Sequence, residues 1–356
     1  VSGVVGVAVV GYGYWGPNVA RNFSAIGSAG DEGTSGEPGL AECCELRAIC
    51  DPDPKRLTTA RRIYPGCKMV GEFRDLLADD EIDAVAICTP VHTHYELALA
   101  ALRAGKHVLV EKPLTSSVET AAELVEVSRT SGLVLQVDHT FVYSPPVLAI
   151  QEMIDEGSLG RLLYIDSTRI NLGLFRSEVG VLWDLAVHDV SIINFLIGQR
   201  PVWISATGAA PYGEFENLAY ITMMYPDELI AHVNVNWLSP VKLRSMVIGG
   251  SEQMVVYDDL APSEKLRIYD KGVSINEGGM LRESDLVDYR LGSMTAPHIP
   301  RAEPLHRMCL DFISSIASST SPRVDGEAGL AVVQIVAAAA ESLRKNGERV
   351  VLPQVK

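Results

Sequence analysis

Paired cysteines and positive charge are both scarce in this chain of 356 residues. Its six cysteines, Cys43, Cys44, Cys50, Cys67, Cys88 and Cys309, contain no C-x-x-C spacing, and two are adjacent. That excludes a zinc ribbon or a disulfide framework and leads to the expectation of a reducing, cytoplasmic location. Thirty basic residues against 45 acidic ones give a net charge of -15, which opposes binding to nucleic acid or to an anionic membrane. An anionic ligand then needs a local basic group. The most apolar later stretch, 330–340, contains Gln334, falls short of the roughly 20 residues of a spanning helix, and reads as a buried helix. No Lys or Arg precedes Arg21, and Gly3, Gly6, Gly11, Gly13 and Gly16 interrupt the first apolar stretch, so no signal peptide is expected. The chain starts at Val1 rather than Met.

What is present fits two domains of about 150 residues each, with 47% hydrophobic and 21% charged residues, an ordinary globular composition. Through residue 140, β-branched runs (4–10, 46–50, 84–88, 107–110, 134–137) alternate with helical stretches (15–26, 54–63, 94–103, 118–130), with Gly105 and Gly132 placed as helix stops. That alternation predicts an α/β fold with a doubly wound parallel sheet over 1–140. The Gly-, Ser- and Glu-rich segment 27–44 reads as a surface insertion. Over 141–356 the order changes. Helices at 146–156 and 181–197 flank a strand ending near Asn171, and runs at 202–209, 218–224, 229–237, 243–248 and 253–257 follow without helices between them. These predict an α+β domain with an open, mostly antiparallel sheet, closed by helices at 302–318 and 326–345.

The sharpest local signal is a hydrophobic strand running into Gly11-Tyr-Gly13-Tyr14-Trp15-Gly16 and then a helix. In that context the first glycine permits a tight turn, the second admits a pyrophosphate to the backbone, and the third allows close helix packing. The acid that holds the adenosine ribose of NAD is expected about 20 residues further on. Asp51 lies 35 positions after Gly16, with the insertion accounting for the excess, and stands at a strand end. An acid there favours NAD over NADP, although Lys55 and Arg56 close by leave NADP open. The alternative for Asp51 is to cap the next helix. Two further motifs follow strand ends: Thr89-Pro90-Val-His92-Thr-His94 and Glu111-Lys112-Pro113. His92 and His94 lack a third ligand, so no metal is expected. In Asp184-Leu-Ala-Val-His188-Asp189, the i, i+4 spacing puts Asp184 and His188 on one helix face, where an acid and an imidazole can act together. A satisfied core histidine is the competing reading.

Together, GYGYWG at 11–16, TPVHTH at 89–94, EKP at 111–113 and DLAVHD at 184–189 resemble the Gfo/Idh/MocA oxidoreductases in order and spacing over nearly the whole chain. The resemblance implies a Rossmann-like N-terminal domain and a C-terminal sheet that forms a homodimer or homotetramer interface. It also implies hydride transfer between a nicotinamide coenzyme and a secondary alcohol of a sugar or cyclitol. Carried over by position, Lys112, Asp184 and His188 are the catalytic residues, with a cis bond between Lys112 and Pro113. His188 would be the base, Asp184 its orienting acid or a hydroxyl ligand, and Lys112 the donor to the reacting oxygen.

Gly11, Gly13, Tyr14, Trp15, Gly16, Asp51, Thr89, Pro90, His94, Glu111 and Lys112 are the candidate coenzyme contacts. His139, Tyr143, Arg169, Asn171 and Arg176 are the candidate substrate contacts. HTFVYSP and RINLGLF resemble bacterial members associated with nucleotide-sugar or polysaccharide pathways, which points to a nucleotide-activated sugar whose phosphates Arg169 and Arg176 would meet. The bland alternative pairs these arginines with Glu178 or Asp166. An inositol or free-sugar dehydrogenase, a redox-neutral NAD-dependent glycosidase and a catalytically retired NAD sensor are the rival readings.

Overall fold

The computed structural model describes residues 3–28, 44–173, 179–275 and 287–353. Most of the expected insertion, and Arg176 and Glu178, therefore lie outside the described residues. The chain divides into two compact units: Val1–Tyr143 with Ala302–Gln334, and Ser144–Arg301 with Ile335–Lys356. This corrects the expected division at 140/141, because 302–334 belongs with the first unit. An amphipathic helical pattern shows that a helix has a buried face, not which sheet covers it.

In the first unit the strands are β1 (Val5–Val10), β2 (Cys44–Cys50), β3 (Lys68–Val70), β4 (Ala84–Ile87), β5 (His107–Glu111) and β6 (Leu135–Asp138). They form a parallel sheet in the order β3-β2-β1-β4-β5-β6. Every residue of β1 and β4 is buried, as expected for central parallel strands covered on both faces, which is why these runs carry Val, Ile and Ala without alternation. The strands are linked through α1 (Gly16–Ser28), α2 (Pro54–Ile63), α3 (Phe73–Leu77), α4 (His94–Arg103) and α5 (Val118–Ser131). The helix signals act as sequence chemistry requires: Asp53 accepts the Lys55 N–H at 2.8 Å ahead of Pro54, and Gly132 closes α5 at φ 68°. α8 (Pro304–Ser318) returns to pack on α1, where Phe23 and Phe312 meet edge to face at 6.3 Å.

The second unit contains α6 (Pro145–Asp155), β7 (Leu162–Leu172), a π-helical turn at Leu182–Ala186 that runs into α7 (Val187–Ile197), and a nine-stranded sheet. Its strands β8 (Trp203–Ala209), β9 (Leu218–Met224), β10 (Ile230–Asn236), β11 (Leu238–Gly250), β12 (Met254–Asp258), β13 (Leu266–Ile275), β14 (Val287–Thr295) and β15 (Val350–Val351) join β7 in the order β14-β13-β12-β11-β7-β10-β9-β8-β15. Pairing is antiparallel except between β7 and β10. Ile165, Ser167 and Arg169 alternate inward on β7, and α7 packs on β7 and β10. The final helix, α9, runs over Gly326–Arg344, longer than the expected apolar stretch. By length and composition it is the one described helix that could cross a membrane, yet its Val332, Val333, Val336 and Ala339 are buried within the protein.

Candidate active site

The glycine turn follows β1 directly. Gly11 has φ +90°, and a Cβ there would lie 2.9 Å from the Cys88 carbonyl and from Thr89 Cγ2, so a side chain is excluded by both conformation and space. At Gly16 a Cβ would collide with the Gly11 carbonyl. Gly13 differs: its nearest neighbour on that face is Arg56 Nη1 at 3.7 Å, leaving backbone open to a ligand. A turn that is crowded at its ends and open at its middle glycine, leading into the N-terminus of α1, fits a dinucleotide pyrophosphate.

Asp51 sits one residue beyond β2 and is 1% exposed. Its Oδ2 accepts the Tyr12 N–H at 2.7 Å and Arg56 Nη1 at 3.3 Å, and its Oδ1 accepts the Asp53 N–H at 2.8 Å. The cap of α2 is thus Asp53, and Asp51 ties the glycine turn to the end of β2.

Thr89 and Pro90 follow β4, and Lys112 follows Glu111 at the end of β5; both places lie at the carboxyl edge of the parallel sheet. Lys112–Pro113 is cis. His94, expected to face the coenzyme, does something else. Its Nδ1 lies 2.9 Å from the Pro113 carbonyl oxygen and its Nε2 2.9 Å from that of Thr89, with the ring 1% exposed. Both partners are acceptors, so satisfying both requires the imidazolium. Burial pushes the pKa of the ring below its ordinary value, opposed by those two bonds. His94 therefore clasps the loops that carry Thr89 and Lys112 rather than presenting a nitrogen to a ligand. His92 is exposed, and the described residues hold no group of three or more metal-ligating side chains.

Two candidate substrate residues are interior. Tyr143 is 2% exposed; its hydroxyl donates to Asp311 Oδ2 at 2.7 Å and accepts from Gln136 Nε2 at 3.1 Å. His139 is 1% exposed, and neither ring nitrogen has a hydrogen-bond partner among the described residues. Burial, with the nearby Lys112 charge, pushes its pKa down to about 3. The unfolded chain binds this proton near pH 6.5 and the folded chain does not, so stability is lost as pH falls through the window between about 6.5 and about 3. His139→Phe is expected to remove that loss, gaining roughly 2–3 kcal/mol over the parent at pH 4.5 and far less at pH 8. Urea unfolding at both pH values reads the difference; an equal effect at both would contradict it.

In the second unit, the π-helical turn carries Asp184 and the first turn of α7 carries His188. The sequence spacing assumed a regular α-helix through both; the structure instead widens the turn, a feature frequent at functional sites. Asp184 and His188 are both partly exposed, whereas Asp189 is buried. Arg169 Nε donates to Asp189 Oδ2 at 2.6 Å and its Nη2 to Oδ1 at 3.3 Å, while Ser167 Oγ donates to Oδ1 at 2.8 Å. The guanidinium fork expected to meet a phosphate thus binds an internal carboxylate, Asp189, and Glu178, one of the alternative partners, lies outside the described residues. Sequence reasoning missed Asp189, although an acid in an otherwise apolar helix and an arginine in a half-buried strand are the signal of such a pair. Asn171 is partly exposed at the end of β7, on the same face of the strand as Arg169.

Comparison with known proteins bears on the family and the fold. The profile of the oxidoreductase family with an NAD-binding Rossmann fold (Gfo/Idh/MocA) matches residues 5–139, and the Gfo/Idh/MocA C-terminal domain matches 147–256. The chain belongs to this family of NAD-binding oxidoreductases. UDP-N-acetylglucosamine 3-dehydrogenase from Acidithiobacillus ferrooxidans is 27% identical over 91% of this chain and 93% of its own length. Its solved structure aligns with a TM-score of 0.78 over 96% of this chain and 98% of that one, at 25% identity. scyllo-Inositol 2-dehydrogenase (NADP(+)) from Bacillus subtilis is 26% identical over 82% of this chain and 85% of its length. A levoglucosan dehydrogenase solved with NADH and levoglucosan shares the fold, with a TM-score of 0.82 over 98% of this chain and 100% of that one, at 20% identity.

Proposed function

We propose that the protein oxidises a secondary alcohol of a sugar, or reduces the corresponding ketone, and that the sugar is carried on a nucleotide. The observation that supports the reaction class is the joint presence of an open glycine turn, Lys112 at the carboxyl edge of the parallel sheet and the Asp184–His188 pair on a widened helical turn. Full-length similarity to a dehydrogenase named for a UDP-sugar supports the nucleotide-sugar class.

When bound, the nicotinamide supplies the two-electron acceptor. The chain supplies the rest. Gly11, Gly13 and Gly16 shape the pyrophosphate turn, and Asp51 orients the ribose end. Oxidation of an alcohol also requires a proton to leave its hydroxyl. His188 takes that proton, Asp184 orients the imidazole or holds a neighbouring hydroxyl, and Lys112 donates to the oxygen as negative charge develops on it. In reduction His188 returns the proton. Arg169 and Tyr143, whose polar groups are engaged internally, have no part in this reading.

Asp51 also sets the preferred coenzyme: a carboxylate at this position accepts a ribose hydroxyl and repels a 2'-phosphate. Asp51→Ala is expected to cut the preference for NAD over NADP about 10- to 100-fold, with Arg56 left to meet the phosphate. Because Asp51 holds the Tyr12 N–H, affinity for NAD itself falls as well. Steady-state KM values for both coenzymes report this, and an unchanged ratio would remove Asp51 from coenzyme selection.

The test of the whole reading is a panel of nucleotide-sugars, free sugars and cyclitols with NAD and NADP, read by absorbance of the reduced coenzyme. UDP-N-acetylhexosamines should give the highest kcat/KM. A cyclitol or free sugar turning over faster would replace the substrate class, and turnover without net reduced coenzyme would replace the reaction.

A further inference from the structure

One interaction crosses the carboxyl edge of the parallel sheet and joins the glycine turn to a residue outside the motifs above. Trp15, in the glycine turn, donates its indole N–H to Asp138 Oδ2 at 2.6 Å. Asp138 is the last residue of β6. In the sheet order, β1 and β6 are separated by β4 and β5, three inter-strand steps or about 14 Å. The turn after β1 and the indole together span that distance, so the ring lies over the ends of β4 and β5. The acceptor is built for one purpose: Asp138 is 3% exposed, its other oxygen accepts from the Thr140 hydroxyl, and it stands in register with Glu111, the neighbour of Lys112. Trp15 itself is only partly buried, leaving part of the indole open.

The position of the ring matters because a dinucleotide on this fold is anchored at two places already described, with its ribose by Asp51 at the end of β2 and its pyrophosphate at the glycine turn. Its remaining third then continues toward β4, β5 and β6. We infer that Trp15, latched by Asp138, forms the wall against which the nicotinamide ring is held, and that Asp138 is a positioning residue acting through the indole. Burial raises the pKa of Asp138, while the bonds from Thr140 and Trp15 and the Lys112 charge oppose that rise. The inference rests on the NAD-binding fold and not on the substrate assignment, so the identity of the sugar does not bear on it.

The experiment compares NAD with ADP-ribose, which has the same adenosine and pyrophosphate but no nicotinamide. Isothermal titration of Trp15→Phe, which keeps a flat ring and removes the N–H, should show the Kd for NAD rising about tenfold, as expected for loss of one hydrogen bond to a buried acceptor, with the Kd for ADP-ribose unchanged within about twofold. Asp138→Asn retains an acceptor and should recover most of the NAD affinity that Asp138→Leu loses. Circular dichroism and thermal melts confirm that each variant is folded. Equal weakening of both ligands would mean that the bond merely supports the phosphate turn, and no change in either would mean that the indole is not at the nicotinamide; both results overturn the inference.

Discussion

Lys112→Ala is expected to lower kcat/KM by about 10²–10³-fold, the range for removing one donor to a developing oxyanion. His188→Ala is expected to lower it by about 10²–10⁴-fold, the range for losing a positioned acid/base. The Kd for NAD should stay within a few-fold in both. The two losses should not add, because the lysine and the imidazole are assigned to one chemical step; the double variant should fall little below the worse single one. The pH profile separates their roles. If His188 is the base, kcat/KM for oxidation should rise with pH along a limb that vanishes in His188→Ala and persists in Lys112→Ala. If the limb instead vanishes with Lys112, the base and the donor exchange places. If neither substitution changes turnover, the catalytic assignment fails.

The second large effect concerns stability. Arg169 and Asp189 are 5% and 6% exposed at their side chains and share two hydrogen bonds. Two charges brought out of water are tolerated only as a pair, so removing one partner leaves the other desolvated and uncompensated. Asp189→Leu is expected to cost about 3–5 kcal/mol, and the double variant Arg169→Met with Asp189→Leu to recover most of it. Urea unfolding measures both. A loss under about 1 kcal/mol for Asp189→Leu would mean that the guanidinium reaches solvent once freed, and would reopen a ligand role for Arg169. The pair also bears on the site by position: Asp189 adjoins His188, so the ion pair fixes the first turn of α7 against β7.

The legibility of these features in the sequence divides along physical lines. The parallel sheet announces itself because buried strands such as Val5–Val10 and Ala84–Ile87 are apolar without interruption, and the glycine turn because conformation at Gly11 and close contacts at Gly11 and Gly16 admit no side chain there. β13 and β14 gave no such signal. Lys271, Gly272, Asp288 and Arg290 interrupt them, and strands that pair at the edge of an open sheet need no continuous apolar run. The short β3 was below the length at which a period can be read. Local pattern also could not say that α8 docks on α1, since amphipathicity carries no address.

Candidate site residues divide in the same way. Asp51, Thr89 and Lys112 stand just past the ends of β2, β4 and β5, a backbone placement that position along the chain was enough to predict. His94, His139, Tyr143 and Arg169 are polar side chains whose partners come from segments distant in sequence or, for His139, from no described residue. Sequence marks such residues as chemically capable without telling whether they face a ligand or the interior. The Trp15–Asp138 bond joins residues 123 positions apart, and the same limit explains why neither was singled out as half of a pair.

The most direct measurement follows the hydrogen itself. The substrate of the panel with the highest kcat/KM, deuterated in turn at each of its carbinol carbons, should from one of those positions yield reduced coenzyme one mass unit heavier on turnover with NAD, the label residing at C4 of the nicotinamide. Reduced coenzyme of unlabelled mass from every labelled position would contradict hydride transfer from a secondary alcohol carbon.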